Sequence, residues 1–172
     1  MMRWLLGTAT FLTAPAAILG TLFDVAWLLP SDVTLDQTES DSMFLAFDER
    51  QCVVLSNDLV TDHGTIEAGT TVSCSFLHAD PVTVMPFAQG KILFDSPIIG
   101  VISLSDDLDA SDAVCGLSAV EYPAAGDETY RGLGSSLDRY QIVAGGRGLH
   151  IQLDIPTASD HVRVITCCGN CE

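Results

Sequence analysis

The most constraining feature of this sequence is a set of short runs in which apolar and polar residues alternate. In "GLHIQLDI", residues 148–155, leucine and isoleucine occupy every second position, with histidine, glutamine and aspartate between them. A period of two is typical of a strand with one buried face. Similar runs, separated by turn residues, begin at positions 43, 51, 69, 90, 98, 139, 148 and 160. The pattern predicts an all-β fold, an antiparallel β-sandwich or jelly roll of about 7–9 strands, with one short helical turn near residues 106–114.

The composition is that of one folded domain whose strands are joined by acidic loops. The chain has 172 residues, of which 48% are hydrophobic, and Lys91 is its only lysine. Its acidic residues are mostly aspartate, which favours turns because the short side chain bonds nearby backbone N–H groups. The net charge of -16 would repel nucleic-acid phosphates and anionic membrane surfaces. The sequence therefore predicts no nucleic-acid partner, and it favours cations such as calcium.

The N-terminal residues predict export. Arg3 is followed by an uncharged run from Trp4 to Phe23, and small residues supply a cleavage site near Ala16. Two outcomes remain open: a signal peptide of residues 1–17 that is removed, or an uncleaved membrane anchor that reaches about residue 29. Both place the rest of the chain outside the cytoplasm, in the periplasm, on the cell surface or in the extracellular space.

The remaining sequence divides into three predicted parts. Residues 18–42 form an exposed lead-in, residues 43–167 form the β-sandwich domain, and residues 168–172 form a tail that contains cysteine. Trp4 and Trp27 fall in or near the signal, so the mature sandwich is expected to lack tryptophan. That expectation counts against a sugar-binding site based on aromatic stacking.

Six cysteines predict disulfides in an exported domain. They are Cys52, Cys74, Cys115, Cys167, Cys168 and Cys171. Cys52 and Cys74 fall on predicted neighbouring strands and could pair with each other, and Cys115 would then pair with a cysteine of the tail. The segment "CGNC" at residues 168–171 also has the C-x-x-C spacing of redox and zinc sites, although the second pair of zinc ligands is missing. Structural disulfides are favoured, with a metal site, a redox pair or a link to a neighbouring molecule as alternatives.

An acidic cluster offers a candidate calcium site. Its members are Asp106, Asp107, Asp109 and Asp112. Calcium takes six or more oxygen ligands, several of which an Asp-rich loop can supply. The spacing is not that of an EF-hand, so the alternative is a helical turn with solvated acids. Calcium is the only cofactor that the sequence suggests, and none is required.

A second candidate metal site lies at "HADP", residues 78–81. His78 and Asp80 are two residues apart on a predicted strand, so their side chains would point to the same side and could share a metal ion or a proton. In the alternative interpretation, Asp80 caps the turn before Pro81 and His78 bonds to Asp80 or to a neighbouring loop.

No catalytic motif is recognisable in the sequence. It contains no G-x-S-x-G, no H-E-x-x-H and no P-loop, and the glycine loops "GLGSS" and "AGGRG" have the composition of hairpin turns. The sequence therefore predicts a protein that is not an enzyme. A hydrolytic enzyme with a pair of carboxylates is the least favoured class.

Four segments occur in an order that is known from other proteins. They are "AGTTVSCSFLHADPV" from residue 68, "FDSPIIGVI" from residue 94, "LDASD" from residue 108 and "DHVRV" from residue 160. In this order they resemble a group of exported bacterial proteins of the PEP-CTERM-associated type, over roughly residues 33–167. The resemblance implies an exported, often surface-associated β-sandwich, and it carries over no catalytic residues. The chain departs from the group where "CGNCE" stands in place of a sorting tail.

These features together predict an exported, non-catalytic β-sandwich with a structural or adhesive role. Its expected partners are components of the cell surface or the extracellular matrix. The alternative is a carbohydrate- or calcium-binding module, and a hydrolytic enzyme comes third.

Overall fold

Two β-sheets packed face to face form the body of the protein in a computed structural model, which describes residues 17–37, 39–83, 85–124, 131–155 and 159–169. The strands are β1 (Ile18–Phe23), β2 (Val25–Trp27), β3 (Phe44–Asp48), β4 (Val53–Val54), β5 (Leu59–Thr61), β6 (Gly64–Ile66), β7 (Thr71–Ala79), β8 (Met85–Phe94), β9 (Ile98–Ile102), β10 (Arg139–Val143), β11 (Gly148–Ile155) and β12 (Asp160–Cys167). The helical elements within the described ranges are α1 (Ser105–Cys115) and a 3-10 turn (Ala144–Gly146).

The smaller sheet has four strands and the larger has six. The smaller sheet has the order β1-β8-β11-β10 and is antiparallel throughout. The larger has the order β2-β3-β7-β12-β9, with β4 also paired to β7. Only the pair β2–β3 is parallel among the described strands, and β5 and β6 form a separate hairpin. The predicted all-β, sandwich-like fold is therefore confirmed, and so is the helix expected near residues 106–114.

The prediction of about 7–9 strands is too low, because the described residues contain 12. Three of the four additional strands, β2, β5 and β6, are three residues long, and the run predicted from residue 51 contains β4. Such segments are too short to show an alternating pattern. Strand β1 was not expected because it lies in the uncharged run that was interpreted as an export signal.

The first core lies between the two sheets. On β11 the alternation predicts the burial correctly, since the apolar residues are buried and the polar residues between them are half-buried. The buried set on this strand consists of Leu149, Ile151, Leu153 and Ile155. They pack with Phe44, Ile92 and Phe94 in one apolar cluster. Burying each large side chain contributes about 1.5–3 kcal/mol, so this layer is a main source of stability.

A second core covers the opposite face of the larger sheet. It packs Phe47, Phe76, Ile102 and Ile165 against Leu108 of helix α1. Both faces of the larger sheet are therefore inside the protein, and all eight residues of β12 are buried. Polar side chains on this strand consequently lie in the interior, where each needs a partner.

From residue 18 onward, the N-terminal part of the chain belongs to the folded domain. Strand β1 is hydrogen-bonded to β8 at the edge of the smaller sheet, and β2 lies beside β3. Ile18 and Val25 are buried in the first core. The alternative of an anchor reaching residue 29 is therefore wrong, and residues 18–42 are not an exposed lead-in throughout. Among the described residues, no helix is both long and apolar enough to cross a membrane. The predicted signal peptide lies, apart from its last residue, outside the described residues.

Disulfides hold the second core and the C-terminal strand. Cys74 on β7 is bonded to Cys115 at the end of α1, and Cys52 is bonded to Cys168. Cys167 also forms a disulfide, so the described residues include no free cysteine. The bonds are consistent with an oxidising environment outside the cytoplasm.

The predicted pairing of Cys52 with Cys74 is wrong. The backbone N–H of Cys52 donates to the Ser73 hydroxyl, so Cys52 lies opposite the neighbour of Cys74. Adjacent side chains on a strand point to opposite faces, and Cys74 points into the second core. Because Cys168 is bonded to Cys52, it is not half of a C-x-x-C redox pair.

Candidate binding face

The four aspartates of the predicted calcium loop lie on helix α1. Asp112 accepts hydrogen bonds from Arg131 at 2.6 Å and from Arg163 at 2.9 Å, and Asp109 lies 3.2 Å from the Arg131 guanidinium. Asp106 and Asp107 occupy the first turn of the helix. Two of the four carboxylates thus already have arginine partners. Within the described ranges, no three His, Cys, Asp or Glu side chains are grouped to hold a metal ion, and calcium binding here stays a prediction.

His78 and Asp80 are both buried, but they make different contacts. The Asp80 carboxylate accepts the backbone N–H of Asp36 at 2.7 Å and so holds the turn that precedes β3. Burial and the charges of Asp36 and Glu39 raise the pKa of Asp80 to about 6. Asp80 therefore caps a turn that is distant along the chain, which differs from the predicted capping of the turn before Pro81.

His78 is paired with a second histidine from the neighbouring strand. Its Nδ1 lies 2.8 Å from Nε2 of His161, and the two rings stack with centroids 5.0 Å apart. Burial, followed by the charges of nearby groups that include Arg131 and Arg163, holds the pKa of His161 well below its usual range. Because both rings are buried, a substrate in solution does not reach this pair.

A buried ion-pair cluster joins helix α1 to the larger sheet. Arg163 on β12 binds both carboxylate oxygens of Glu49 at 2.7 Å, and it also contacts Ser111 and Asp112 of the helix. The Tyr122 hydroxyl donates to Glu49 at 2.7 Å. Each donor of the guanidinium has an acceptor within the protein, so the cluster is a structural support and leaves no position for a ligand.

A buried carboxyl at the start of β12 should make stability depend on pH. Burial, and then the charges of Asp138 and Asp154, raise the pKa of Asp160 to about 7, against ~3.9 in an unfolded chain. The folded state therefore binds this proton more tightly. The resulting stabilisation is complete below about pH 4 and is lost as the pH rises through 7.

We expect Asp160→Asn to remove the loss of folding stability that accompanies the rise in pH. Asparagine keeps an oxygen for the Gly134 N–H, which Asp160 now accepts at 3.2 Å. The variant should gain stability relative to the wild type between pH 4 and 8, in denaturant unfolding followed across that range. Asp106→Asn, at an exposed carboxyl, is the matched control. A constant difference between the Asp160 variant and the wild type at all pH values would contradict the prediction.

An open arrangement of polar side chains lies on the four-stranded sheet, on the side away from the first core. We call it the outer face and define it by the outward residues Leu22, Gln89, Lys91, Leu93, Arg139, Gln141, Val143, His150 and Gln152. Strand pairing aligns them in rows. One row runs Leu22, Lys91, His150 and Gln141 across β1, β8, β11 and β10. The next runs Gln89, Gln152 and Arg139 across β8, β11 and β10.

The polar side chains of the outer face have no partners within the described part of the chain. Lys91 and Arg139 form none of the salt bridges there. Two shallow depressions of about 250 and 360 Å³ share His150 and extend to Gln152 on one side and to Gln89 on the other. Amide, imidazole, ammonium and guanidinium groups are thus left available to a ligand that lies flat on the sheet.

Two exposed phenylalanines beside the outer face have a backbone conformation that is costly for them. Phe23 and Phe87 have φ of 65° and 57°, and their exposed fractions are 75% and 58%. Positive φ is rare for a bulky residue and costs about 1–3 kcal/mol. Phe23 lines the larger depression together with Lys91 and His150. Strained residues of this kind are found preferentially at functional sites.

The tryptophan expectation was wrong in a way that bears on ligand binding. Trp27 belongs to β2 of the larger sheet and is 51% exposed, so the described domain does contain a surface tryptophan.

The sequence reveals only part of the outer face. The alternation on β11 and the position of the one lysine were visible in the sequence. That they meet on one face depends on the register of β8, β11 and β10, which no local pattern specifies.

No protein-family model, no curated protein and no solved structure matches this chain.

Proposed function

We propose that this chain is an exported, non-catalytic protein that works at the cell surface or in the extracellular space, with a structural or adhesive role, by holding an extended partner on the outer face. The observation that carries the proposal is the set of unpartnered polar side chains aligned on one sheet. A flat surface of this kind suits a long ligand that crosses several strands better than it suits a small substrate, which needs a concave pocket.

Three further observations support the proposal. The disulfides fit an oxidising compartment, and the resemblance to exported surface-associated proteins points to the same place. The groups that most resemble catalytic dyads, His78 with His161 and Arg163 with Glu49, are buried away from solvent. Chemistry on an external substrate would require one of them to be reachable.

Binding to immobilised polysaccharides tests the proposal, with neutral dextran and cellulose and the anionic polymers alginate and dextran sulfate as probes. The variant Gln141→Ala/Gln152→Ala removes two amides of the outer face. Each lost hydrogen bond weakens binding by about 1 kcal/mol, so the affinity should fall roughly thirtyfold in total.

The matched control is Gln37→Ala, which removes an exposed glutamine between β2 and β3, outside the strands of the smaller sheet. It should bind as tightly as the wild type. Failure of the wild type to bind any of the four polymers would overturn the proposal, and so would an equal loss in the outer-face and control variants.

A further inference from the structure

The charge on the outer face has the opposite sign to the charge of the whole protein. The chain carries 7 basic and 23 acidic residues. Arg131 and Arg163 form buried ion pairs. The other described basic residues are Arg50, Lys91, Arg139 and Arg147, and the last three belong to β8, β10 and the β10–β11 turn of the smaller sheet.

The described acidic residues of the smaller sheet lie at the ends of its strands, and they are Asp24, Asp95, Asp138 and Asp154. Asp24 follows β1 and accepts the backbone N–H of Gln89, and Asp154 lies near the end of β11. Between them lie Lys91 and His150. The two central rows of the outer face therefore contain Lys91, Arg139 and His150 and no carboxylate.

The spacing of the two cations fits a linear polymer. Lys91 on β8 and Arg139 on β10 are two strands and two residues apart. With strands about 4.8 Å apart and a rise of about 3.3 Å per residue, their Cα atoms are separated by roughly 12 Å. His150 and Gln152 lie on β11 between them. The face thus presents two positive charges separated by hydrogen-bonding groups.

We propose that the outer face binds a linear anionic polysaccharide. Its carboxylate or sulfate groups pair with Lys91 and Arg139, and its hydroxyl groups bond to Gln89, Gln141, Gln152 and His150. The Phe23 ring stands at the edge of the same depression, where the apolar face of a sugar packs against it. This inference rests on the proposed function and specifies its ligand.

A polysaccharide fits these groups better than a second copy of the chain does. In a symmetric contact a second copy would place its own Lys91 and Arg139 opposite the same cations of the first copy, so like charges would meet. A polymer chain touches the outer face alone. At physiological ionic strength the Debye length is about 8 Å, so contacts within the face outweigh repulsion from acids on the far side.

Charge-removing substitutions test the inference. Lys91→Gln and Arg139→Gln each remove one positive charge and leave a hydrogen-bonding side chain. Each should weaken binding to alginate and dextran sulfate about tenfold, and the double variant about a hundredfold, because hydrogen bonds to charged groups are the stronger kind. Binding of the wild type should also weaken as sodium chloride is raised, and the double variant should be less sensitive to salt.

Arg50→Gln is the matched control, since it removes the same charge from an exposed arginine outside the sheet, where it donates to the Ala113 carbonyl. It should leave binding unchanged. Thermal unfolding of all variants should match the wild type, because Lys91 and Arg139 form no salt bridge within the described chain.

The experiments distinguish a failure of the anionic ligand from a failure of the binding face. Dextran binding equal to alginate binding, with no effect of either charge variant, would overturn the anionic ligand while the binding face itself survived. Binding to none of the polymers would overturn both proposals. Sedimentation that shows the wild type dimerising and the double variant monomeric would identify a second copy as the occupant and would also overturn the inference.

Discussion

Replacing Arg163 with methionine is expected to lower the free energy of unfolding by about 3–5 kcal/mol. The side chains of Arg163 and Glu49 both have an exposed fraction of 0%, and they are joined by two hydrogen bonds of 2.7 Å. Methionine leaves the Glu49 carboxylate in the interior without its cation. Breaking a buried pair is costly because the remaining charge keeps its desolvation penalty. Unfolding in urea at pH 7 measures the difference.

Two companion variants separate charge from packing. Arg50→Met removes an exposed arginine and should change stability by no more than about 0.5 kcal/mol. Arg163→Met/Glu49→Leu removes both charges, and it should recover part of the loss because apolar residues of similar volume can replace a buried pair. A loss below about 1 kcal/mol for Arg163→Met would contradict the prediction. A double variant no more stable than the single one would assign the loss to packing.

The ion-pair cluster and the outer face occupy opposite sides of the sandwich. Arg163 and Glu49 fix helix α1 on the outside of the larger sheet, and the smaller sheet packs on the other side of it. Polar groups that are paired in the interior provide rigidity, and those left unpaired on the surface remain available for a partner. A rigid sheet also holds the backbone positions of Lys91 and Arg139 at a fixed separation, which would lower the entropy cost of the proposed binding.

The fold could be predicted from the sequence where one face of a strand meets solvent. On β11 the alternation identifies both the core residues and the outward His150 and Gln152. The same reasoning is insufficient for β12, where Arg163 and His161 alternate with valines yet are fully buried. Helix α1 and the segments around it cover the second face of this strand, and that covering is a long-range property of the chain.

The disulfide pairing and the N-terminal boundary also depended on long-range contacts. Cys74 and Cys115 are 41 residues apart, and Cys52 and Cys168 are 116 apart. No local sequence pattern predicts which cysteines pair across such separations. An uncharged apolar run is equally suited to an export signal and to an edge strand, so only its pairing with β8 shows that residues from Ile18 onward belong to the domain.

Removing the Cys74–Cys115 disulfide is expected to lower the free energy of unfolding by about 4 kcal/mol, because a bond that closes a loop of this length restricts the unfolded chain. The variant is Cys74→Ala/Cys115→Ala. Both residues are buried in the second core, and the bond ties the end of α1 to β7. The matched variant Cys52→Ala/Cys168→Ala opens a longer loop, so its loss should be about 5 kcal/mol. Urea unfolding without reductant measures both.

Accessibility adds a second readout to the disulfide prediction. Cys52 and Cys168 are half-buried, whereas Cys74 and Cys115 are fully buried. Under mild reductant without denaturant, alkylation should therefore reach Cys52 and Cys168 well before the other pair, since thiol–disulfide exchange requires access of the attacking thiolate. Equal labelling of all four would mean that the second core opens readily. Unfolding that is indifferent to reductant would contradict the stabilising role of the bonds and remove a main support for an oxidising compartment.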